Sequence, residues 1–314
     1  LAARLRLRAG MLATARAFFA ARGVTEVDTP QVVRHAVTDR HLASASVHWP
    51  SPEAPPGFLH TSPEYAMKRL LAAGSGDIYQ LCHVHRGDEQ GALHNAEFMM
   101  LEWYRCGFDM HALVREVDEL LRTLLGPLAG APARLLGYAE AFRGALGCDP
   151  LEDPLPRLAE CARAARLDAR LVATLGRDEL LDLMMATCIG PGLGAEGPVF
   201  LHSYPASQAA LARLDPGDPR VARRFELYLG GVELANGFEE LADPKEQRDR
   251  FDADRALRHR SGLPEPEADP YLLAALESGL PACSGVALGF DRLLMRACGA
   301  THIAEVLPFT SAQA

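Results

Sequence analysis

Apolar residues at Leu5, Leu7, Met11, Leu12, Ala15, Phe18 and Phe19 recur at near-helical spacing, and Gly23 follows as a stop. The pattern predicts an amphipathic helix over 3–22. Val24 to Val33 reads as extended and is interrupted by Pro30. Ser62-Pro63-Glu64 predicts a second helix start, with Ser62 as N-cap, Pro63 at the first helical position and Glu64 in the first turn. Gly74 ends that helix. Residues 77–86 and 96–106 read as strands flanking a polar loop, which predicts an antiparallel hairpin. Residues 109–190 read as mainly helical, with Pro/Gly breaks near 126–132 and 144–156. Strands are predicted at 200–204 and 223–238, the latter turning at Gly230-Gly231, and helices at 244–259 and 269–276. A strand over 281–288 runs into a helix over 290–298. Hairpins with interspersed helices, rather than regular βαβ units, point to an α+β fold in which helices flank an antiparallel-rich sheet.

Composition narrows the class. The chain has 314 residues, 48% hydrophobic and 23% charged, which excludes wholesale disorder. No uninterrupted apolar run approaches the ~18 residues of a membrane helix. The arginine-broken N-terminus lacks the apolar centre of a signal peptide, so a cytoplasmic protein without membrane association is expected. A net charge of −9 argues against a broad nonspecific nucleic-acid surface. The seven cysteines show neither CxxC pairs nor zinc spacing and read as reduced, mostly buried thiols.

Three stretches carry candidate chemistry. In His85-Arg86-Gly87-Asp88-Glu89, an arginine at a strand end could meet a phosphate, and either Asp88 or Glu89 could accept from an exocyclic amine. His94 and Asn95 lie in the loop that follows. On the return strand Phe98, Met100, Glu102 and Tyr104 share one face, because side chains alternate. A buried Glu102 beside Tyr104 would be costly unless paired. In the second stretch, Glu226 and Glu233 flank the Gly-Gly turn and could face each other, a pair suited to Mg²⁺. Asn236, Phe238 and Glu240 alternate beyond them. The third stretch, Gly285-Val286-Ala287-Leu288-Gly289-Phe290-Asp291-Arg292, carries a glycine-bearing strand into a helix start, where an arginine could meet an anion.

Together and in this order the stretches resemble the three signature motifs of class II aminoacyl-tRNA synthetases. Pro30 matches the first motif, His85-Arg86-Gly87-Asp88 with Phe98 the second, and Gly285 to Arg292 the third. Thr61-Ser62-Pro63-Glu64, His94-Asn95-Ala96-Glu97-Phe98, Met100-Leu101-Glu102-Trp103-Tyr104 and Asn236-Gly237-Phe238-Glu239-Glu240-Leu241 are similar to lysyl-tRNA synthetase over nearly the whole chain. The first-motif helix begins almost at residue 1, which leaves no segment expected to read an anticodon. That absence and Ala287, where lysyl-tRNA synthetases usually carry glycine, resemble the elongation factor P (R)-β-lysine ligase family.

The resemblance implies a single class II catalytic domain over 1–314, with ATP and Mg²⁺ as cofactors. It implies a lysine or β-lysine substrate, elongation factor P as protein acceptor and a homodimer formed through 3–33. It assigns ATP binding to Arg86, Gly87, Asp88, His94, Asn95, Phe98, Glu233, Leu234, Gly289 and Arg292, with Arg86 and Arg292 catalytic. Substrate binding falls to Ser62, Pro63, Glu64, Glu102, Tyr104, Asn236, Glu240 and Ala287, and metal binding to Glu226 and Glu233. Glu64 and Glu102 would meet one ammonium group, Tyr104 and Glu240 the distal one. Other outcomes consistent with these motifs are a tRNA-independent paralogue making a free amide, a truncated lysyl-tRNA synthetase and an inactive regulatory subunit.

Overall fold

The amphipathic N-terminal stretch forms α1 (Ala2–Ala20) and buries Met11, Ala15, Phe18 and Phe19 of the apolar positions that predicted it, while Leu5 and Leu7 stay exposed. The computed structural model describes residues 2–51, 53, 55–87 and 90–314. After α1 come β1 (Thr25–Glu26), β2 (Val32–Val33), β3 (Ser46–Val47), β4 (Gly57–Leu59), α2 (Glu64–Ala72), β5 (Ile78–His85) and β6 (Glu97–Cys106). The middle of the chain forms α3 (Met110–Leu125), β7 (Arg134–Gly137), α4 (Tyr138–Leu146), α5 (Leu155–Ala164), α6 (Ala169–Val172), α7 (Arg177–Met184), β8 (Val199–Pro205), β9 (Val221–Leu229) and β10 (Val232–Glu239). The chain then makes α8 (Pro244–Arg260), α9 (Pro270–Gly279), β11 (Cys283–Gly289) and α10 (Phe290–Cys298). Two compact units result: Leu1–Phe108 with Ala242–Ala314, and Asp109–Leu241.

In the first unit β5 pairs β6, and β6 pairs β11, both antiparallel, while the short β1 joins β5 in parallel. Side-chain alternation gives these strands two faces. One is sealed by α1: Phe19 stacks on Tyr79 at 4.4 Å between ring centroids and meets Trp103 edge-on at 5.3 Å. Phe19 and Trp103 are fully buried, and each such ring contributes about 1.5–3 kcal/mol by leaving water. Phe98, Met100, Glu102 and Tyr104 are left on the other face, as predicted. A small antiparallel sheet, β2-β4-β3, belongs to the same unit. The α2 helix starts at Glu64 with Pro63 as N-cap, one residue later than the sequence suggests. Ser62 still serves the helix end, its hydroxyl accepting the Glu64 N–H at 3.0 Å.

In the second unit β9 pairs both β8 and β10 antiparallel, and β7 runs parallel to β8. Helices α4, α5 and α7 pack Tyr138, Phe142, Leu158, Leu180, Leu181 and Met184 with Val199, Leu201 and Tyr204 of β8. The 109–190 region is mainly helical, as its pattern predicts, but also supplies β7. Four residues are too few to display the strand alternation that would have revealed it. Among the described residues no helix is long and apolar enough to cross a membrane.

Candidate active site

Cross-strand register arranges the residues of β5, β6 and β11 on the face away from α1 as a grid. Glu102 lies opposite Gln80 on one side and Ala287 on the other. The row below pairs Ile78, Tyr104 and Gly285; the row above pairs Cys82, Met100 and Gly289; Phe98 faces Val84. Glu102 is 2% exposed and would be costly to bury unaided. Ser62 donates to its Oε2 and the Tyr104 hydroxyl to its Oε1, each at 2.7 Å. Four residues singled out from sequence, Ser62, Glu102, Tyr104 and Ala287, thus meet around one carboxylate. Glu64, at the start of α2, pairs with the buried Lys68 at 2.7 Å. Burial, and then the charge of Glu102, push the Cys82 thiol up to about 12, which leaves it no role as a thiolate nucleophile.

Above this grid lie the second- and third-motif arginines. The Arg86 guanidinium sits 5.2 Å from the Phe98 ring centroid, and its Nε donates to the Thr61 carbonyl at 3.4 Å. Arg292 contacts His94 Nε2 at 2.6 Å and donates to the Leu93 carbonyl at 3.2 Å, so the third-motif helix meets the second-motif loop. Gly87 donates to the Ala43 carbonyl at 2.9 Å. Both ends of the Asn95 amide meet the backbone: Nδ2 donates to the Glu97 carbonyl and Oδ1 accepts the Ser311 N–H, which leaves a second N–H and a second lone pair. Asp88 and Glu89 lie outside the described residues. Burial lowers the pKa of His85, which disfavours its cationic form. Asp291, predicted to mark a helix start, is 1% exposed. It binds the Arg8 guanidinium and accepts the Met99 N–H at 2.7 Å, fastening α10 to α1 and β6.

The second unit carries the remaining predicted residues on its β9–β10 hairpin. Glu226 lies opposite Asn236 and Tyr228 opposite Glu233, so all four share one face. Glu233 and Asn236 are three residues apart and would normally point to opposite faces. The register shift between Glu233 and Ala235 adds the extra residue that reconciles them. Leu234 sits at that bulge with its side chain buried. Phe238 continues the face, opposite Arg224. Glu240 is 5% exposed. Its neighbour Glu239 pairs with Arg213 at 2.9 Å and Arg223 at 2.8 Å.

Arg224 is the residue that motif reading missed. Its Nη2 donates to Glu226 Oε1 at 2.5 Å, its Nε to Asn236 Oδ1 at 3.2 Å and its Nη1 to the Gln208 carbonyl at 2.7 Å, with the Tyr204 ring centroid 4.3 Å away. The Tyr228 hydroxyl donates to Glu226 Oε2 at 2.8 Å. The available signal was the alternation of Arg224, Glu226 and Tyr228 along one strand face. Burial works against the Arg224 charge, but Glu226, then Tyr204 and Glu233, more than offset it and raise its pKa. Burial, then the charges of Glu226 and Glu233, raise that of Tyr228. Glu226 and Glu233 thus share one face, and both oxygens of Glu226 are engaged, one by Arg224 and one by Tyr228.

Comparison with known proteins gives the family. The family model for class II tRNA synthetases (D, K and N) matches residues 1–313. The elongation factor P–(R)-β-lysine ligase of Edwardsiella ictaluri is 50% identical over 313 residues, covering 98% of this chain and 95% of its own. The protein of the same name from Vibrio vulnificus is 49% identical over 308 residues, with 97% and 94% covered. That from Histophilus somni strain 2336 is 48% identical over 305 residues, with 96% and 93% covered. The chain therefore belongs to the class II tRNA synthetase family, in the branch whose members are named elongation factor P–(R)-β-lysine ligases.

Proposed function

We propose that this chain is an ATP-dependent, AMP-forming ligase that activates (R)-β-lysine, or lysine, and joins it to a lysine ε-amine of elongation factor P. The observation that carries this is the buried Glu102 carboxylate, held by Ser62 and Tyr104 at 2.7 Å each and flanked by Ala287. A fixed, desolvated carboxylate suits a substrate ammonium group. The identity to ligases of that name supports the choice of acceptor.

In the first step a substrate carboxylate oxygen attacks the α-phosphorus of ATP, and pyrophosphate leaves. Negative charge grows on the α-phosphate, so cations fixed beforehand lower the barrier. Arg86 is assigned to the α-phosphate, with Phe98 against the adenine, and Arg292 to the γ-phosphate end. Gly87, Asp88, His94, Asn95, Leu234 and Gly289 are assigned to the rest of the nucleotide. In the second step the acceptor ε-amine attacks the acyl carbon, AMP leaves, the nitrogen sheds a proton and an amide forms. Glu226 and Glu233 would hold Mg²⁺, which neutralises phosphate charge when bound. Glu64 and Glu102 are assigned to the near ammonium group of the substrate, Tyr104 and Glu240 to the distal one, and Asn236 to its carboxylate.

We further infer that both units belong to one catalytic domain, because the family match runs through both. The region 3–33 is assigned to a two-fold homodimer interface; Leu5 and Leu7 of α1 are exposed large apolar residues there. A cytoplasmic location and an acceptor other than tRNA complete the proposal. It is tested by exchange of labelled pyrophosphate into ATP with (R)-β-lysine or α-lysine. Exchange that needs one of these amino acids supports it, and no exchange with either would overturn it.

A further inference from the structure

Gln80 is a polar side chain in an unusual position. It lies at the centre of the grid, directly opposite Glu102 on an antiparallel pair, and is 1% exposed. Directly opposite residues on such a pair bring their Cβ atoms within about 5 Å. Yet its amide oxygen meets no hydrogen-bond partner among the described residues, and its amide nitrogen is in reach of nothing better than the Cys82 sulfur. The polar group nearest along its own strand face is the Cys82 thiol, a weak partner at best. An unsatisfied buried amide costs about 1–3 kcal/mol. A leucine or methionine would fill the same space without that cost. Gln80, Glu102 and Ala287 form one continuous row across β5, β6 and β11, with an amide, a carboxylate and a methyl group side by side.

We propose that Gln80 is a substrate-binding residue whose amide oxygen accepts a hydrogen bond from the ammonium group that Glu102 neutralises. The assignment rests on the proposed amine-binding role of Glu102. An ammonium group has three N–H donors and no acceptor. Glu64 and Glu102 account for two, and the Gln80 oxygen provides the third. A neutral acceptor satisfies the last donor without adding a third carboxylate to a low-dielectric site, where like charges would drive one another to protonate. The row then works as a unit: Glu102 supplies charge, Gln80 completes the ammonium shell from one side, and Ala287 bounds the space on the other.

The role leaves a signature that a structural glutamine would not. Binding of (R)-β-lysine and of α-lysine to the full chain without ATP is followed by calorimetry, with thermal melts of the unliganded protein. For Gln80→Met, the Kd of the preferred amine should rise about tenfold or more, the loss expected for a hydrogen bond to a charged group. The unliganded variant should melt at or above the wild-type temperature, because the buried amide has gone. Gln80→Glu, which keeps an acceptor oxygen, should retain most of the affinity at pH 8. A Gln80→Met protein that binds as wild type does overturns the proposal, as does one whose melting temperature falls by several degrees along with its ATP affinity. The Glu102→Gln variant separates the two layers. Loss of binding there but not in Gln80→Met removes only the Gln80 assignment. Failure of the wild type to bind either amine removes the amine-binding reading as well.

Discussion

Both oxygens of Glu102 are already engaged in the unliganded protein, one by Ser62 and one by Tyr104. The carboxylate is therefore fixed in place before any substrate arrives, and little ordering entropy remains to be lost on binding. Glu102→Gln should raise the KM for the amino acid in pyrophosphate exchange by about 100-fold, the upper range for removing one partner of a buried charge pair, and leave the KM for ATP nearly unchanged. Steady-state exchange kinetics in each substrate check this split. Ala287 acts by volume, since its methyl group adjoins Glu102 in the row. Ala287→Gly should shift the ratio of kcat/KM for (R)-β-lysine over α-lysine toward α-lysine by about 10-fold or more, within the 1–3 kcal/mol that one methyl group commands. The residues around Glu102 were legible in sequence because each belongs to a short motif of unusual composition. Gln80 was not legible: nothing in Ile78-Tyr79-Gln80 separates it from an ordinary strand residue until register sets it opposite a buried carboxylate.

Elements are joined by charges that a motif search passes over. Arg8 of α1 reaches Asp291 at the start of α10, and Asp291 also accepts the Met99 N–H of β6. Arg8→Ala would leave a carboxylate at 1% exposure without its cation. Breaking a buried pair in this way costs about 3–5 kcal/mol, so the melting temperature should fall markedly in calorimetry. A second prediction concerns α8 and the loop before β3. Asp254 accepts from Thr38 at 3.4 Å. Burial, and then the charge of Asp39, raise its folded-state pKa from 3.8 to about 6. Because the folded value lies above the unfolded one, the unfolded chain releases its proton first as pH rises. This group's contribution is thus most favourable below pH 4 and is lost progressively up to about pH 6. Asp254→Asn should raise the melting temperature relative to wild type at pH 7.5, with the gain shrinking toward pH 4.5. Much of the order of helices and strands was legible from periodicity, including the turn at Gly230-Gly231, but the short β3, β4 and β7 were not. The bulge at Leu234 was not, because an extra strand residue has no compositional mark. It is nevertheless what puts Glu233 and Asn236 on one face.

Across the whole molecule, the family match over 1–313 and near 50% identity to ligases over almost their full length fix the chemistry as synthetase-type. Ala287, one of the positions where the motif resemblance departs from the lysyl-tRNA synthetase pattern, lies in the same row as Glu102. The choice of acyl acceptor cannot be read from that grid, since a tRNA hydroxyl and a protein amine attack the same activated carbonyl. It is decided by transfer. The direct test incubates the protein with ATP, Mg²⁺, (R)-β-lysine and unmodified elongation factor P, and follows the intact mass of the acceptor. The account predicts a gain of one lysyl residue mass, dependent on ATP and abolished in Arg292→Ala. An unchanged elongation factor P mass, with aminoacylation of tRNA by the same preparation, would contradict it.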